Sequence, residues 1–253
     1  MKLPITLCAV DHAAHALTRL ALQRCLDACD FADVLICSDQ DILPGARHVQ
    51  TSCHSRDQAE IILDYVLPDH VRTEHYLYVQ WDSWIINADS WDPDFLNYDW
   101  VGAPWPDRYL WDGCDPAHNV GNGGFSLRSV KLAMAARQLK LYSPEDHAIC
   151  VDFRPGLEAA GCRWPTADVA ARFSAELEWP AEPTFGFHGA FRFASVLSPD
   201  EFDDLVGYST PYVRTTSGWR HLQRYLDLVR SGGAQPPWAG PMKDGWMQRL
   251  KAA

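Results

Sequence analysis

The first 82 residues alternate strand-like and helix-like segments, and this alternation is the strongest constraint on the fold. Apolar residues recur at helical spacing near Ala13–Cys29, and again after Ser55, which has the position of a helix cap with Gln58 three residues on. Such alternation predicts a parallel α/β sheet with its ligand site at the carboxyl ends of the strands. The four predicted strands are Ile5–Val10, Ala32–Asp39, Ala46–Thr51 and His75–Asp82.

The second half of the sequence is less regular. Residues 98–121 are rich in Pro, Trp, Asp and Gly and predict a long loop, and Gly121–Ser129 predict a glycine-rich turn that enters a helix. From about Ser198 the apolar pattern is helical. We therefore expect one α/β domain over residues 1–197 and a C-terminal helical extension over residues 198–253 that packs on it.

Composition and charge narrow the class of protein. With 253 residues, 47% of them hydrophobic, the chain can bury a sizeable core, and its net charge of −11 argues against nucleic-acid binding, which needs a basic face. No apolar run approaches the ~20 residues of a membrane span, and the N-terminus has no signal-peptide pattern. We expect a cytoplasmic protein, with peripheral membrane contact by the C-terminal segment left open.

The cysteines support the same expectation. None of the eight belongs to a CxxC pair, and Cys25 and Cys29 lie one helical turn apart on an apolar helix face. Several others fall in strand-like runs. They predict reduced core residues of a cytoplasmic protein and not a zinc site or a disulfide framework.

The fourth predicted strand runs into an acid in an apolar setting. In the stretch YVQWDSWIIN, from Tyr78 to Asn87, Asp82 is the only charged residue. Burying a lone carboxylate costs free energy unless a cation or hydrogen-bond donors compensate its charge. From these residues alone, Asp82 either binds a cation at the end of a strand or caps the turn that follows.

Three further motifs follow Asp82 in a fixed order: NVGNGGFSLR at 119–128, SPEDHAIC at 143–150 and FGFHG at 185–189. With the shorter words VQWDS and YDWVGAPW, this order resembles glycosyltransferases of the GT-A fold over residues 3–190. It is more specifically similar to a bacterial and fungal group of uncharacterised GT-A-like domains.

The resemblance implies a fold and an activity. The fold is α/β, a GT-A (nucleotide-diphospho-sugar transferase, Rossmann-like) mixed sheet flanked by helices. The activity is metal-dependent transfer of a sugar from a nucleotide sugar, with a UDP-sugar expected, to a hydroxyl group of a carbohydrate or glycolipid acceptor. No nucleic-acid partner is expected.

The resemblance also implies a metal site for Mn²⁺ or Mg²⁺. In GT-A enzymes an Asp-x-Asp motif after the fourth strand and a late histidine bind the cation, and the matching positions here are Asp82 and His188. The triplet is Gln80-Trp81-Asp82, so an amide that adds no charge replaces the first acid. One carboxylate with two phosphates suffices for a hard cation, and imidazole suits Mn²⁺. The alternative is that His188 is a core histidine among phenylalanines.

The acid pair Glu145 and Asp146 has two interpretations. By the resemblance, Asp146 is the base of an inverting reaction, which removes a proton from the acceptor hydroxyl, with Glu145 beside it. The same residues also describe an ordinary helix start, with Ser143 as cap, Pro144 at the first position and acids in the first turn. Both interpretations stay open, because a carboxylate at a helix start can also act as a base.

The remaining site residues are expected from position alone. Ala9 and Asp11 after the first strand, and Asp39 after the second, match the positions where GT-A enzymes hold the base and ribose. We expect them to bind the nucleotide, with Gln80 and Asp82 on its ribose and phosphate side.

The glycine turn and two tryptophans are expected to bind sugars. Gly123 and Gly124 would let a sugar lie close to the backbone, and Asn122 would bond its hydroxyl groups; a plain tight turn is the alternative. Trp105 and Trp111 would stack on the acceptor sugar, with packing in the core as the alternative.

Two other functions stay open at this point. One is a retaining glycosyltransferase in which Asp146 only positions groups. The other is a catalytically degenerate domain that binds carbohydrate or nucleotide, which Gln80 in place of an acid favours. The hypothesis of a metal-dependent phosphohydrolase has less support, because one acid and one histidine make a poor two-metal site.

Overall fold

A six-stranded mixed sheet lies at the centre of the molecule, in the order β3-β2-β1-β4-β7-β6. The computed structural model describes residues 1–106, 115–234, 236 and 239–252. Strands β1 to β4 are parallel, whereas β7 runs antiparallel to its neighbours β4 and β6. A smaller sheet has the order β5-β9-β8. The strands are β1 (Lys2–Asp11), β2 (Asp30–Ser38), β3 (Arg47–Gln50), β4 (His75–Val79), β5 (Ser83–Ile85), β6 (Trp100–Val101), β7 (Phe125–Ser129), β8 (Ser174–Ala175) and β9 (Gly186–His188).

Helices flank this sheet, which confirms the predicted α/β class with a mixed sheet. They are α1 (His15–Ala28), α2 (Arg56–Ile61), α3 (Leu67–His70), α4 (Val130–Ala136), α5 (Glu145–His147), α6 (Arg154–Ala159), α7 (Ala167–Phe173), α8 (Phe193–Val196), α9 (Pro199–Gly207), α10 (Pro211–Thr215), α11 (Ser217–Arg230) and α12 (Trp246–Ala252). Two π-helical segments, Ile62–Val66 and Ala148–Asp152, follow α2 and α5. Across the described ranges, no helix combines the length and the apolar character needed to cross a membrane.

The two faces of β1 explain why helices cover both sides of the sheet. Successive side chains of a strand point to opposite faces. Ile5 and Leu7 are fully buried in a core that includes Leu17 of α1, whereas Cys8 is buried in a second core with Leu63 and the residues around it. The alternation of apolar side chains in this one strand therefore requires a helical layer on each face.

The fourth strand is shorter than the sequence predicts. It ends at Val79, and β5 begins at Ser83 in the smaller sheet. The chain leaves the large sheet because the Gln80 N–H and the Ser83 hydroxyl both donate to the Gly124 carbonyl, at 3.1 and 2.8 Å. Asp82 consequently lies in the turn that joins the two sheets.

The glycine-rich motif also differs from its prediction. It leads into strand β7 and not directly into a helix, and the helix begins only at Val130. Ser129 caps that helix, with its hydroxyl oxygen accepting from the Leu132 N–H at 2.9 Å. The motif therefore crosses the central sheet beside β4.

The C-terminal helices pack on the main core. Leu222, Tyr225 and Leu226 of α11 are buried in the cluster that contains the β1 side chains, as the predicted apolar stripe requires, and Val229 is half-buried. Helix α11 also contacts the segment Ala190–Arg192 that follows β9. The C-terminal region thus adjoins the strand that ends in His188.

This packing predicts a difference between two leucines of α11. Leu222 is fully buried and Leu228 is 39% exposed. We expect Leu222→Ala to lower the free energy of unfolding by about 2–5 kcal/mol, because it leaves a cavity in the main core. Leu228→Ala is the matched control and should cost less than about 1 kcal/mol. Urea denaturation measures both, and equal losses would contradict the packing of α11 on this core.

Candidate active site

A cleft of about 790 Å³ opens at the carboxyl ends of β1 and β4. It lies where the sequence predicts the site of a parallel sheet. The residues that line it include side chains of β1 and α2, the turn after β4, the glycine turn, α5, the segment after β8, β9 and the start of α11; those used below are Asp11, Arg56, Glu60, Gln80, Asp82, Gly123, Gly124, Glu145, Asp146, Glu176, His188, Ser217 and Gly218.

A second cavity, of about 620 Å³, lies at the other end of the sheet and has a different character. Its buried acid, Asp99, accepts from the Ser129 hydroxyl, the Lys131 ammonium and the Arg163 N–H at 2.6–3.1 Å. In the first cleft, by contrast, Asp82 and Asp11 each keep a buried carboxylate oxygen with no hydrogen-bond partner. A buried acceptor without a protein donor is a position where a cation or a hydrogen-bond donor of a substrate can bind, so the first cleft is the candidate site.

Asp82 and His188 meet at the floor of this cleft. Strand β9 pairs with β5 so that His188 lies opposite Ser83, next to Asp82. The Nε2 atom of His188 is 3.6 Å from Oδ1 of Asp82. Oδ2 of Asp82 accepts from the Ala190 N–H at 3.0 Å, whereas Oδ1 has no partner and the side chain is buried. The structure therefore brings together the two residues that the resemblance assigns to a metal.

Glu176, just after β8, completes the group and is absent from the sequence prediction. Its Oε1 lies 3.0 Å from His188 Nδ1, so Nε2 is the ring nitrogen directed at Asp82. Burial lowers the pKa of His188, but the carboxylates of Asp82 and Glu176 outweigh burial and raise that pKa to about 9. The sequence around Glu176, SAELEW, holds two alternating acids, and no signal in it tells which one faces His188.

The glycine turn makes room for protein side chains. A Cβ at Gly124 would lie 2.1 Å from His188 Nε2, and one at Gly123 would lie 2.7 Å from Glu145 Oε1. Asn122 is buried with its amide nitrogen 3.1 Å from His188 Nδ1. The turn therefore leaves space for the side chains of His188 and Glu145, and the predicted sugar contact stays a prediction, since Gly123 and Gly124 also line the cleft.

Arg128 of β7 holds Glu145 in an ion pair, a second feature that sequence reasoning missed. Its Nη2 donates to Glu145 Oε1 at 2.8 Å and to the Gly123 carbonyl at 3.1 Å. Arg128 is 2% exposed, and its guanidinium lies 4.0 Å from the ring centroid of Trp100. Glu145 is therefore committed to neutralising a buried cation, a structural role.

Asp146 is the acid of the pair that lacks an arginine partner. Its Oδ2 accepts from the Gly123 N–H at 3.2 Å and its Oδ1 from the His147 N–H at 2.9 Å. Burial, followed by the carboxylates of Glu145 and Glu176, raises the pKa of Asp146 to about 7. A carboxylate with a pKa near neutral pH is suited to accept a proton from a substrate hydroxyl.

The predicted serine cap of this helix is wrong. The cap position belongs to Pro144, which makes no side-chain cap bond. The Ser143 hydroxyl instead donates to Glu60 at 3.2 Å. A serine-capped helix start therefore does not account for the acid pair.

Of the five residues predicted to bind the nucleotide, Asp11, Gln80 and Asp82 line the cleft, whereas Ala9 and Asp39 do not. One oxygen of Asp11 accepts from two backbone N–H groups before α1, and its Oδ2 has no partner. Ala9 is fully buried inside β1, and the exposed Asp39 pairs with His15 at 2.7 Å outside the cleft lining.

The predicted sugar platforms also change. Trp105 is 5% exposed and packs in a core cluster, which favours the packing alternative, and Trp111 lies outside the described residues. Among the described residues, the Phe, Tyr and Trp side chains that line the cleft are those of Tyr78, Trp81, Phe191 and Tyr212.

The donor set at Asp82 and His188 fits a hard divalent cation. The separation of 3.6 Å is less than twice the ~2.1 Å bond length of such a cation to its ligands, so one ion can reach both atoms. Gln80 Oε1, 3.3 Å from His188 Nε2, is a third donor. The described residues contain no group of three or more His, Cys, Asp or Glu side chains placed to hold a metal ion. Water or substrate oxygens would therefore fill the other positions.

Comparison with known proteins gives one family match. A family model described as "Protein of unknown function (DUF5672)" matches residues 64–188, a stretch that contains both Asp82 and His188. A sequence search of curated proteins finds no match.

Several solved structures resemble this chain at low sequence identity. An active-site mutant of LgtC has 14% identity and a TM-score of 0.47, over 86% of this chain and 100% of that chain. The apo form of the glycosyltransferase GlyE from Streptococcus pneumoniae TIGR4 has 12% identity and a TM-score of 0.44, over 90% and 64%. S. aureus TarS 1–349 in complex with UDP-GlcNAc has 14% identity and a TM-score of 0.37, over 58% of this chain and 52% of that chain.

The buried ion pair of Arg128 predicts a pH-dependent loss of stability on its removal. Burial and Glu145 raise the pKa of Asp64, 3.8 Å from Arg128, to about 8. Since this pKa is raised on folding, the stability that Asp64 contributes is complete below about pH 4 and is lost as the pH rises through about 8. Arg128→Met should therefore cost about 3–5 kcal/mol near pH 8 and less near pH 5.5, where Asp64 binds a proton.

Urea denaturation of Arg128→Met at the two pH values measures this difference. Arg230→Met is the control, because Arg230 pairs with Asp227 on the surface and should cost less than about 1 kcal/mol at either pH. A loss in Arg128→Met that is the same at both pH values would contradict the role given to Arg128.

Proposed function

We propose that this protein is a metal-dependent glycosyltransferase. It transfers a sugar from a nucleotide sugar, with a UDP-sugar as the expected donor, to a hydroxyl group of a carbohydrate or glycolipid acceptor. The observation that carries the proposal is the approach of the unpartnered Asp82 Oδ1 to His188 Nε2, 3.6 Å away, in one cleft with Asp146. The cytoplasmic location expected from the sequence stays a prediction.

Asp82 and His188 would hold Mn²⁺ or Mg²⁺ through Oδ1 and Nε2. Because the neighbouring carboxylates raise the pKa of His188 to about 9, the ring would release its Nε2 proton when the cation binds. When bound, the cation neutralises negative charge on the diphosphate leaving group. The Ala190 N–H fixes the Asp82 carboxylate through Oδ2, and Glu176 fixes the histidine ring through Nδ1. Such hydrogen bonds to the ligands are usual around protein-bound metals, because they set the orientation of the donor atoms.

Asp146 is the base in this proposal. It takes the proton of the acceptor hydroxyl while the acceptor oxygen attacks the anomeric carbon, and the bond from that carbon to the diphosphate breaks. The nucleoside diphosphate leaves, and the configuration at the anomeric carbon inverts. Two observations support this role: Glu145 is committed to Arg128, and the pKa of Asp146 is raised to about 7.

Other residues of the cleft are assigned to the substrates. The unpartnered Oδ2 of Asp11 would accept a hydrogen bond from a ribose hydroxyl or from the base. Trp81 and Tyr212 take the stacking role first expected of Trp105, because they line the cleft and Tyr212 is 56% exposed.

Two rivals remain, and each has a test. A retaining reaction would give a product with the anomeric configuration of the donor, which proton NMR of the anomeric coupling distinguishes. A non-catalytic binding domain is favoured by Gln80, which supplies no second carboxylate. Such a domain would bind sugar without a metal-dependent affinity for nucleotide.

Substitution of the two acids should separate binding from chemistry. With a donor found by screening nucleotide sugars for Mn²⁺-dependent release of nucleoside diphosphate, Asp82→Asn should weaken UDP binding in the presence of Mn²⁺, because the cation loses its carboxylate. Asp146→Asn should retain that binding and lower kcat by about 10²–10⁴, the usual contribution of a general base. The exposed Asp94→Asn is the control and should match the wild type. Full activity in both site variants would remove the mechanism.

The pH dependence of kcat/KM should report Asp146. A base with a pKa near 7 is ionised above that pH, so we expect activity to fall about tenfold per unit of pH below about 7. The residual activity of Asp146→Asn should not show this fall below about pH 7. A wild-type profile that is flat between about pH 5.5 and 8 would rule out Asp146 as the base.

A further inference from the structure

We propose that the N-terminus of helix α11 binds the diphosphate of the donor. This inference rests on the proposed function and adds a phosphate subsite to it. The subsite consists of the backbone N–H groups of Ser217 and Gly218, which line the same cleft as Asp82 and His188.

The charge of the cleft raises the need for such a subsite. Among the described residues that line it, there are six carboxylates and no lysine, and the one arginine, Arg56, is bound to Glu60 at 2.7 Å. The carboxylates are Asp11, Glu60, Asp82, Glu145, Asp146 and Glu176. Arg128 neutralises Glu145, but the other acids repel a diphosphate that enters this cleft, so a cation at Asp82 would act together with a second source of positive potential.

Helix α11 supplies that potential. It is 14 residues long and begins after Thr216, whose hydroxyl oxygen accepts from the Trp219 N–H at 3.4 Å. The N–H groups of Ser217 and Gly218 belong to the first turn and have no acceptor within the helix, and the structure gives them none elsewhere in the described chain. Free N–H groups at the positive end of a helix dipole are a recurrent phosphate site.

A second observation points to a ligand here. Asp82 is 6% exposed, and its Oδ1 has no hydrogen-bond partner, with His188 Nε2 3.6 Å away. A Cβ on Gly218 would lie 3.8 Å from Oδ2 of the same carboxylate, so the start of α11 is next to this acid. Oδ2 accepts from Ala190, so Asp82 does not cap α11. An acid that requires a cation and a helix end that requires an anion therefore face one cleft side by side. A divalent cation with a diphosphate satisfies both.

Ser217→Pro tests the subsite by removing one N–H. Proline is tolerated at the first position of a helix, and α9 and α10 already begin with Pro199 and Pro211. The preceding Thr216 has φ −65° and ψ 151°, the extended conformation that a following proline favours. Ala167→Pro is the matched control: it makes the same change at the start of α7, after Thr166 with φ −69° and ψ 161°, away from the cleft.

Calorimetry measures the affinity of the wild type and of both variants for UDP, inorganic pyrophosphate and uridine, each in the presence of Mn²⁺. Ser217→Pro should weaken UDP and pyrophosphate binding at least about tenfold, since a hydrogen bond to a charged group is lost, and leave uridine unchanged. Ala167→Pro should bind all three like the wild type. Weaker uridine binding in Ser217→Pro with unchanged pyrophosphate binding would overturn the subsite.

Ser217→Glu keeps the test independent of folding. An acid in the first turn stabilises a helix, so Tm should stay level or rise, while UDP affinity should fall at least about tenfold through repulsion. If wild-type protein binds UDP with Mn²⁺ and both Ser217 variants bind it equally well, the subsite is wrong and the proposed function stands. If wild-type protein binds no UDP with any divalent cation, the proposed function fails and the subsite fails with it.

Discussion

A carboxylate and an imidazole meet in this molecule because two sheets share one turn. Asp82 lies in the turn that follows the carboxyl end of β4 in the large sheet, and the pairing of β5 with β9 places His188 beside it. Burial alone would make this pair unfavourable, since it raises the pKa of Asp82 while Oδ1 has no donor. The surrounding structure maintains this arrangement at a cost in free energy, which is the usual condition of a functional site.

The groups around the pair are arranged to hold it in place. Glu176 and Asn122 contact the same nitrogen of His188, and Gly124 leaves the space that the ring occupies. On the other side of the glycine turn, Arg128 pairs with Glu145, while Asp146, whose pKa is raised to about 7, has no arginine partner. Arg128 and Glu176 thus fix the positions of the neighbouring side chains, Arg128 by pairing with Glu145 and Glu176 by contacting His188.

Sequence patterns predict what depends on local periodicity and chain order. They give β1, α1 and the Ser55 cap, and the resemblance of the ordered motifs to GT-A enzymes adds Asp82, Asp146 and His188, which the structure brings into one cleft. They miss Glu176 and Arg128, whose roles arise from strand pairing between distant segments. Trp105 shows the same limit, because the loop-like sequence around a tryptophan does not tell whether its side chain is buried or exposed. Burial follows from tertiary contacts that periodicity does not encode.

The central claim is that Asp82 and His188 bind one cation that also contacts a nucleoside diphosphate. Pulsed electron paramagnetic resonance of protein-bound Mn²⁺ with UDP tests it most directly. We expect nitrogen coupling from one imidazole that disappears in His188→Gln, together with phosphorus coupling from UDP. Nitrogen coupling that survives in His188→Gln, or Mn²⁺ with no phosphorus coupling when UDP is bound, would contradict the account.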